Sequence, residues 1–360
     1  MEAIMLADRM TSEERMKALI EGKEIDRVPV NPFIQSFAAK ISGIPFKEFF
    51  ADPEKCLNVQ LLTKELYGHD GGFSFGWTDK GAWEFGGKIS YPEPNQLTPP
   101  RNVDNPVKTP EDVDRLPDPD PKKAGQFPKM MEFARLLRKK GLPINLYAGS
   151  PSTMAASVIG KERMLRWYYK EPEALHKVMR KVTDFILRNT DWFIGEFGAA
   201  SITANTSVPM ETNQLISPRM FREFAFPYIC EIHEKLIAKG VKRFFIHLCG
   251  DHERNLPFWE DIPITQRSII SIGSEMDIEK TAAFFGEDYI IGGNVPTTLL
   301  QIGSFEEVQE ASKECILKGR KHKGGYILMP ACDLPPLTPP INVYAMMKAA
   351  RMCEGYVPGN

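Results

Sequence analysis

Apolar and polar positions along the chain alternate between short apolar runs and longer amphipathic stretches with helical spacing. Thr11 or Ser12 is placed to cap a helix that begins EERMKALIEG, with Glu14 as capping-box partner and Gly22 as its stop. RVPVNPFI (27–34) then reads as a strand and 53–67 as a helix. GGFSFGW and GAWEFGGKISY read as short strands, the second turning at Gly86-Gly87. From 92 to 121 the chain is dense in proline and acid. This stretch reads as a linker between domains or, in the favoured reading, as a surface excursion within one domain, stiffened by its prolines. Beyond it the alternation is regular. A helix over 127–140 precedes a strand over 143–149, and helices over 151–168 and 172–190 precede a strand over 200–206. A helix over 217–239 precedes RFFIHLCG (243–250), and a short helix near 254–260 precedes a strand over 268–273. Helices over 277–285 and 304–319 precede strands over 289–294 and 325–332, and a helix over 340–353 closes the pattern. Strands alternating with helices predict a parallel sheet, and about eight such units close most simply as one (β/α)8 barrel over residues 1–360. No repeat of fixed period and no GxGxxG fingerprint is present.

In such a barrel the active site lies at the C-terminal ends of the strands. His247 and Cys249 end one predicted strand two positions apart, which puts both side chains on one face. Cys332 ends the last strand, Asn205 and Asn294 end two others, and Glu275 follows a further strand by two residues. Two thiols and an imidazole brought together suit Zn2+, whose tetrahedral site accepts cysteine sulfur and histidine nitrogen. Three protein ligands leave a position for a substrate atom, the mark of a catalytic rather than a structural site. The same residues also read as cysteines packed like small hydrophobes and a histidine satisfied by a carbonyl. Cys56, Cys230, Cys315 and Cys353 lie in helical segments with no histidine or cysteine partner near them and read as packing.

Composition narrows the function classes. The chain has 360 residues, 42% hydrophobic and 26% charged, enough to bury a substantial core. A formal net charge of −2 without a long basic run argues against a dedicated nucleic-acid or membrane-surface binder. The N-terminal stretch is charged throughout and lacks a signal-peptide centre, and no window nears the ~18 apolar residues of a membrane span. A cytoplasmic enzyme is therefore expected, in which six scattered cysteines serve metal binding or catalysis rather than a disulfide framework.

Several short blocks, in order along nearly the whole chain, resemble the uroporphyrinogen decarboxylase superfamily and, within it, the cobalamin-dependent methyltransferases. They are RMKALIEGKEIDRVPV, SFAAKISG (36–43), TPEDVDRLPDPDP (109–121), HLCGD (247–251), GGNVPTTLL (292–300) with SFEEV after it, and PACDLPPLTPPINVYAMMKAAR (330–351). The resemblance implies a (β/α)8 barrel and a zinc site formed by a His-x-Cys pair and a distant cysteine, which match His247, Cys249 and Cys332. Two departures stand out. The decarboxylase branch follows its first strand with an arginine-rich stretch that grips an acidic tetrapyrrole; here NPFIQSFAAK holds no arginine. The coenzyme M branch carries glycine after the last cysteine, where this chain has Asp333, which counts against coenzyme M as acceptor.

The resemblance thus implies methyl transfer to or from a cobalt corrinoid. The favoured direction takes a methyl group from a small donor, such as a methoxylated aromatic, in a flat apolar pocket drawn from Phe33, Phe37, Phe73, Phe75 and Trp77. The alternatives are transfer from methylcobamide to a thiol of the coenzyme M type, metal-free decarboxylation, and a structural or regulatory zinc protein. Asp333 is expected to orient a ligand or a substrate hydroxyl, and Glu275 to fill the metal's fourth position or relay a proton. Glu196 and Glu211 read as solvated surface acids. No corrinoid-binding domain is evident, so a separate corrinoid protein is the expected partner; the oligomeric state is left open.

Overall fold

The computed structural model describes residues 8–358, so the first seven residues of the stretch read for a signal peptide lie outside it. Ten strands occur among the described residues. They are β1 (Ile25–Arg27), β2 (Lys88–Ser90), β3 (Arg101–Asp104), β4 (Ile144–Tyr147), β5 (Ile202–Ser207), β6 (Arg243–Leu248), β7 (Ile269–Ile272), β8 (Ile290–Val295), β9 (Tyr326–Pro330) and β10 (Glu354–Tyr356). Strands β4 to β9 follow chain order in a parallel sheet with helices in the connections. This is the (β/α)8-type α/β architecture that the alternation predicts. Two compact units divide the chain: Met1–Gly43, Asn58–Gly72 and Gln266–Asn360 form the first, Ile44–Leu57 and Phe73–Thr265 the second.

In the first unit, β7, β8 and β9 pair in parallel, and Val30 bridges Leu328 of β9. The expected strand over 27–34 is shorter than predicted. It comprises β1, antiparallel to β10, and the bridge at Val30, flanked by Pro29 and Pro32, which have no N–H for a ladder. The chain then turns at Phe33 (φ 47°) into a helix over Gln35–Ser42. The N-terminal helix, Ser12–Ile20, carries the predicted Thr11–Glu14 capping box, and Gly22 follows at φ 67°. Its Arg15 is 1% exposed and grips Asp26 (Nε–Oδ1 2.7 Å) and Asp70 (Nη1–Oδ1 2.6 Å). Arg27 binds the other oxygen of Asp70 at 2.6 Å and Asp8 at 2.8 Å. Burial pushes the Asp8 and Asp26 carboxyls up, but the arginines prevail: Arg27 and Arg351 hold Asp8 at about 2, and Arg15 holds Asp26 below the ordinary carboxylate range.

In the second unit, β4, β5 and β6 pair in parallel and β2 pairs antiparallel with β3. The stretch 92–121 belongs wholly to this unit. It contains β3 and a short helix, Asp112–Arg115, buries Val107 and Val113, and is tied to the helix Pro172–Phe197 by Asp114–Lys177 (2.8 Å) and Asp118–Arg188. Residues 71–77 form no strand, and 81–86 form a turn rather than the first arm of a hairpin. The helix expected over 151–168 is two helices, Pro151–Ile159 and Lys161–Lys170, because Gly160 sits at φ 96°, outside helical space. The helix expected over 217–239 passes through a π-turn, Phe221–Ala225, before Phe226–Ala238. Pro227, without an N–H to donate, opens the regular part.

Candidate metal centre

The two faces of β6 have different neighbours. Phe244 lies against the His233 ring of helix Phe226–Ala238 at 4.4 Å, and His233 Nε2 accepts from Thr206 Oγ1 of β5 at 3.0 Å while Nδ1 donates to the Pro263 carbonyl at 2.8 Å. Thr206 and Phe244 therefore look toward the helix. Residues of the other parity, Asn205, Ser207, Phe245 and His247, share the opposite face, and the register pairs Asn205 with Phe245 and Ser207 with His247. Cys249, two residues beyond His247, continues that face one residue after the strand ends.

Loop 208–214 holds the turn that follows. Val208 N–H donates to the His247 carbonyl at 3.1 Å. Thr212 Oγ1 and Asn213 N–H both donate to the Asp251 carbonyl, at 2.9 and 2.6 Å. Asn255 donates to the Glu211 carbonyl at 2.8 Å and accepts from the Asn213 amide at 2.9 Å. His252, fully buried, donates to the Val208 carbonyl at 3.1 Å, and burial lowers it to about 4, so it stays neutral. Gly250 is required: at φ 87°, any Cβ would stand 2.7 Å from Thr212 Oγ1.

Cys332 follows β9 by two residues, in a turn where Leu334 N–H donates to the Phe33 carbonyl at 3.0 Å. His247 and Cys249 belong to the second unit and Cys332 to the first, and the three side chains are a candidate donor set for a metal ion. His247 is buried and the two cysteines are half-buried. An imidazole nitrogen and two sulfurs are a donor set for a soft or borderline ion such as Zn2+ rather than for Mg2+ or Ca2+, which take oxygen. No disulfide joins any of the six cysteines, and burial raises the Cys230 thiol to about 11.

The remaining residues singled out from the sequence have varied surroundings. Asn205 is half-buried on the His247 face. The Asn294 amide is committed to the carbonyls of Gly273 (2.9 Å) and Met276 (2.7 Å), which fastens the loop after β7. Phe75 stacks on Phe133 at 5.6 Å within the core of its unit, and Phe33 is half-buried. Phe37, Phe73 and Trp77 are buried as well. Glu275 is exposed and accepts a 3.3 Å hydrogen bond from Ser274. Asp333 is exposed to water, yet the protein around it, and then Cys332, push its carboxyl well above the usual range; water at the group moderates that push. Glu196 is a surface acid as expected, paired with Arg135 at 2.9 Å.

Glu211 is the opposite of the expected surface acid. It is 0% exposed, and burial raises it to about 7 against the pull of the Ser150 and Ser152 hydroxyls. Ser150 Oγ, the N-cap of helix Pro151–Ile159, donates to Glu211 Oε1 at 2.5 Å. Its position just past the end of β5 is the signal that could have marked it. Lys80 was missed altogether: it is 9% exposed, with Nζ 4.9 Å from the centre of the Tyr147 ring.

The pattern of the family described as Uroporphyrinogen decarboxylase (URO-D) matches residues 11–353. A methylated-thiol–coenzyme M methyltransferase of Methanosarcina mazei is 26% identical, over 96% of this chain and 90% of that protein. A methylcobamide:CoM methyltransferase of Methanosarcina barkeri is 23% identical, over 94% of this chain and 97% of that protein. Uroporphyrinogen decarboxylases also match, one from Anaeromyxobacter at 25% identity. Among solved structures, a methyltransferase from Methanosarcina mazei superposes with a TM-score of 0.79 at 21% identity, covering 96% of this chain and 99% of that one, which shows a common fold. No helix among the described residues is long and apolar enough to cross a membrane.

Proposed function

The chain belongs to the uroporphyrinogen decarboxylase family, and we propose that within it this protein is a corrinoid-dependent methyltransferase that delivers a methyl group from a methylated corrinoid to a thiol. The observation that carries the reading is the donor set itself: an imidazole and a thiol, His247 and Cys249, on one face at the end of β6, with a second thiol, Cys332, just past the end of β9. Two relatives named for coenzyme M favour transfer toward a thiol. The methoxylated-aromatic donor favoured by the sequence has less behind it. Its flat pocket would be drawn largely from Phe37, Phe73, Phe75 and Trp77, which are spent on packing.

The three side chains fit zinc by donor chemistry. Two thiolates and a neutral imidazole would offset a dication's charge, and three protein donors would leave room for a substrate atom. When bound, zinc supplies Lewis acidity that keeps a coordinated substrate thiol as its thiolate near neutral pH. The chain's own part is to hold its donors still. Loop 208–214 fixes the turn after Cys249 through the Asp251 carbonyl, and Gly250 lets that turn approach Thr212. The corrinoid would be brought by a separate protein.

The test measures metal content and methyl transfer from free methylcobalamin to a panel of thiols, followed by the loss of the methylcobalamin absorbance. The expected result is one zinc per chain, with Cys249→Ser and Cys332→Ser each losing the metal and more than about 100-fold in rate. Variants that keep full activity without metal, or release of CO2 from uroporphyrinogen by the wild type, would overturn the reading.

A further inference from the structure

Lys80 is a buried ammonium whose surroundings do not account for its charge. Its one hydrogen bond among the described contacts is to the Trp77 carbonyl, at 2.5 Å, and its ammonium lies over the Tyr147 ring at 4.9 Å. Glu84 and Asp79 favour the charged form through space, but among the described residues neither forms an ion pair with it. Both Glu84 oxygens are spent on backbone, accepting from Gly81 N–H at 2.6 Å and Gln126 N–H at 3.1 Å. Asp79 pairs with Lys161 instead, at 3.2 Å. Burial lowers Lys80 to about 8, so at neutral pH it keeps its proton. An ammonium has three donors, and a buried charge without a partner is costly. Such a group persists where a bound anion completes it.

The register says where that anion would lie. Tyr147, which carries Lys80 on its ring, pairs with Asn205, and Asn205 pairs with Phe245. These three form one row on the face that bears His247, and Ser207 and His247 form the next row toward the strand ends. From ladder spacings, the Tyr147 and His247 Cα atoms are roughly 12 Å apart, and long side chains on a common face shorten that gap. A molecule of a few carbons spans what is left.

We propose that Lys80, seated on Tyr147, is the subsite for a single anionic group, a carboxylate or a sulfonate, at the end of the small substrate whose other end meets His247 and Cys249. The proposal deepens the methyl-transfer reading and rests on it for the reacting end. Lys80 reads the charge and takes no part in the bond that changes. Asn205, half-buried in the same row, is placed to contact the connecting carbons or the acid.

The experiment has two arms. The first measures methyl transfer from methylcobalamin to 2-mercaptoethanesulfonate, 3-mercaptopropionate, neutral 2-mercaptoethanol and cationic cysteamine, for the wild type, Lys80→Met and Lys80→Arg. The wild type is expected to show a KM at least tenfold lower for the better anionic thiol than for 2-mercaptoethanol. Lys80→Met should remove that preference by raising the anionic KM, with the neutral thiol's KM and kcat within about twofold, and Lys80→Arg should restore part of it. A purely structural lysine would instead depress all four thiols alike, and that pattern sinks the proposal. The second arm needs no turnover: calorimetric binding of ethanesulfonate and propionate, which carry the acid but no thiol. Binding by the wild type that weakens at least tenfold in Lys80→Met supports the subsite even if no thiol is methylated, in which case the methyl-transfer reading alone fails. No binding by the wild type, or equal binding by both proteins, refutes the subsite.

Discussion

Replacing Glu211 by glutamine should stabilise the protein in neutral and alkaline buffer and have little effect in acid. Glu211 is fully buried, and burial raises its carboxyl from 4.5 to about 7. A raised acid binds its proton more tightly folded than unfolded, so the native state loses stability as pH climbs above the unfolded value and levels off past the folded one. A difference of about 2.5 units corresponds to ~3 kcal/mol when fully expressed, of which about 2–3 kcal/mol falls between pH 5 and pH 8. Local geometry supports a neutral group. Ser150 donates to Oε1 at 2.5 Å, while Oε2 and the Ser152 hydroxyl, both buried, make no other hydrogen bond of good geometry. A proton on Oε2 would join them, and a glutamine N–H at that place does the same without titrating. Urea unfolding of wild type and Glu211→Gln at pH 5, 6, 7 and 8 measures the effect directly. The two should be close in stability at pH 5, and the variant should gain progressively, reaching about 2–3 kcal/mol at pH 8. Parallel stability curves, or a variant that loses ground as pH rises, would refute the assignment of a buried, proton-holding carboxyl.

Two further outcomes follow from the packing. Gly250→Ala forces a side chain onto φ 87° with its Cβ 2.7 Å from Thr212 Oγ1; it should cost about 1–2 kcal/mol in urea unfolding and weaken zinc retention at least about tenfold in a chelator competition, and unchanged retention would show that this turn does not set the Cys249 position. Arg15→Met leaves Asp26 buried without its strongest partner and should cost about 3–5 kcal/mol near pH 7. That loss should shrink as pH falls below about 4, because Asp26 has a depressed folded value and the contribution of its pairing with Arg15 is lost only on protonation; a loss independent of pH would point to packing rather than charge.

Periodicity was legible wherever an element was long and had one buried face. The helices Pro53–Tyr67, Phe127–Lys139, Phe305–Gly319 and Pro340–Met352 and the strands β4 to β9 fall within a few residues of their expected places. What misled was local chemistry working against pattern. The GGFSFGW alternation suggests a strand, but its glycines weaken the ladder and none forms there. Gly160 and Pro227 divide segments whose apolar spacing runs on without a break. Short elements such as Thr297–Ile302 and β10 offer too few residues for any period. As candidate ligands, His247, Cys249 and Cys332 could be singled out because metal chemistry restricts residue type and strand ends restrict position. Glu211 and Lys80 could not, because burial is a property of the folded chain, and an acid or lysine in a polar connection looks like every solvated one.

The distribution of cations bears on how one family serves two chemistries. A tetrapyrrole with many carboxylates needs several arginines free to bind them. Here Arg15 and Arg27 are consumed by Asp8, Asp26 and Asp70. The stretch 31–43, where the decarboxylases place arginines, has exposed Lys40 as its sole basic residue and turns the buried face of helix Gln35–Ser42 into its unit as Ser36, Phe37, Ala38 and Ala39. In the second unit the buried Lys80 ammonium, over the ring of Tyr147, has one backbone acceptor among the described contacts. One cation can satisfy one acid group, and a substrate with one acid group need be no larger than a few carbons. The same count that disfavours the tetrapyrrole would, on the proposed reading of Lys80, suit a small monoanion, and the Lys80→Met titration against charged and neutral thiols tests that count independently of any metal assay.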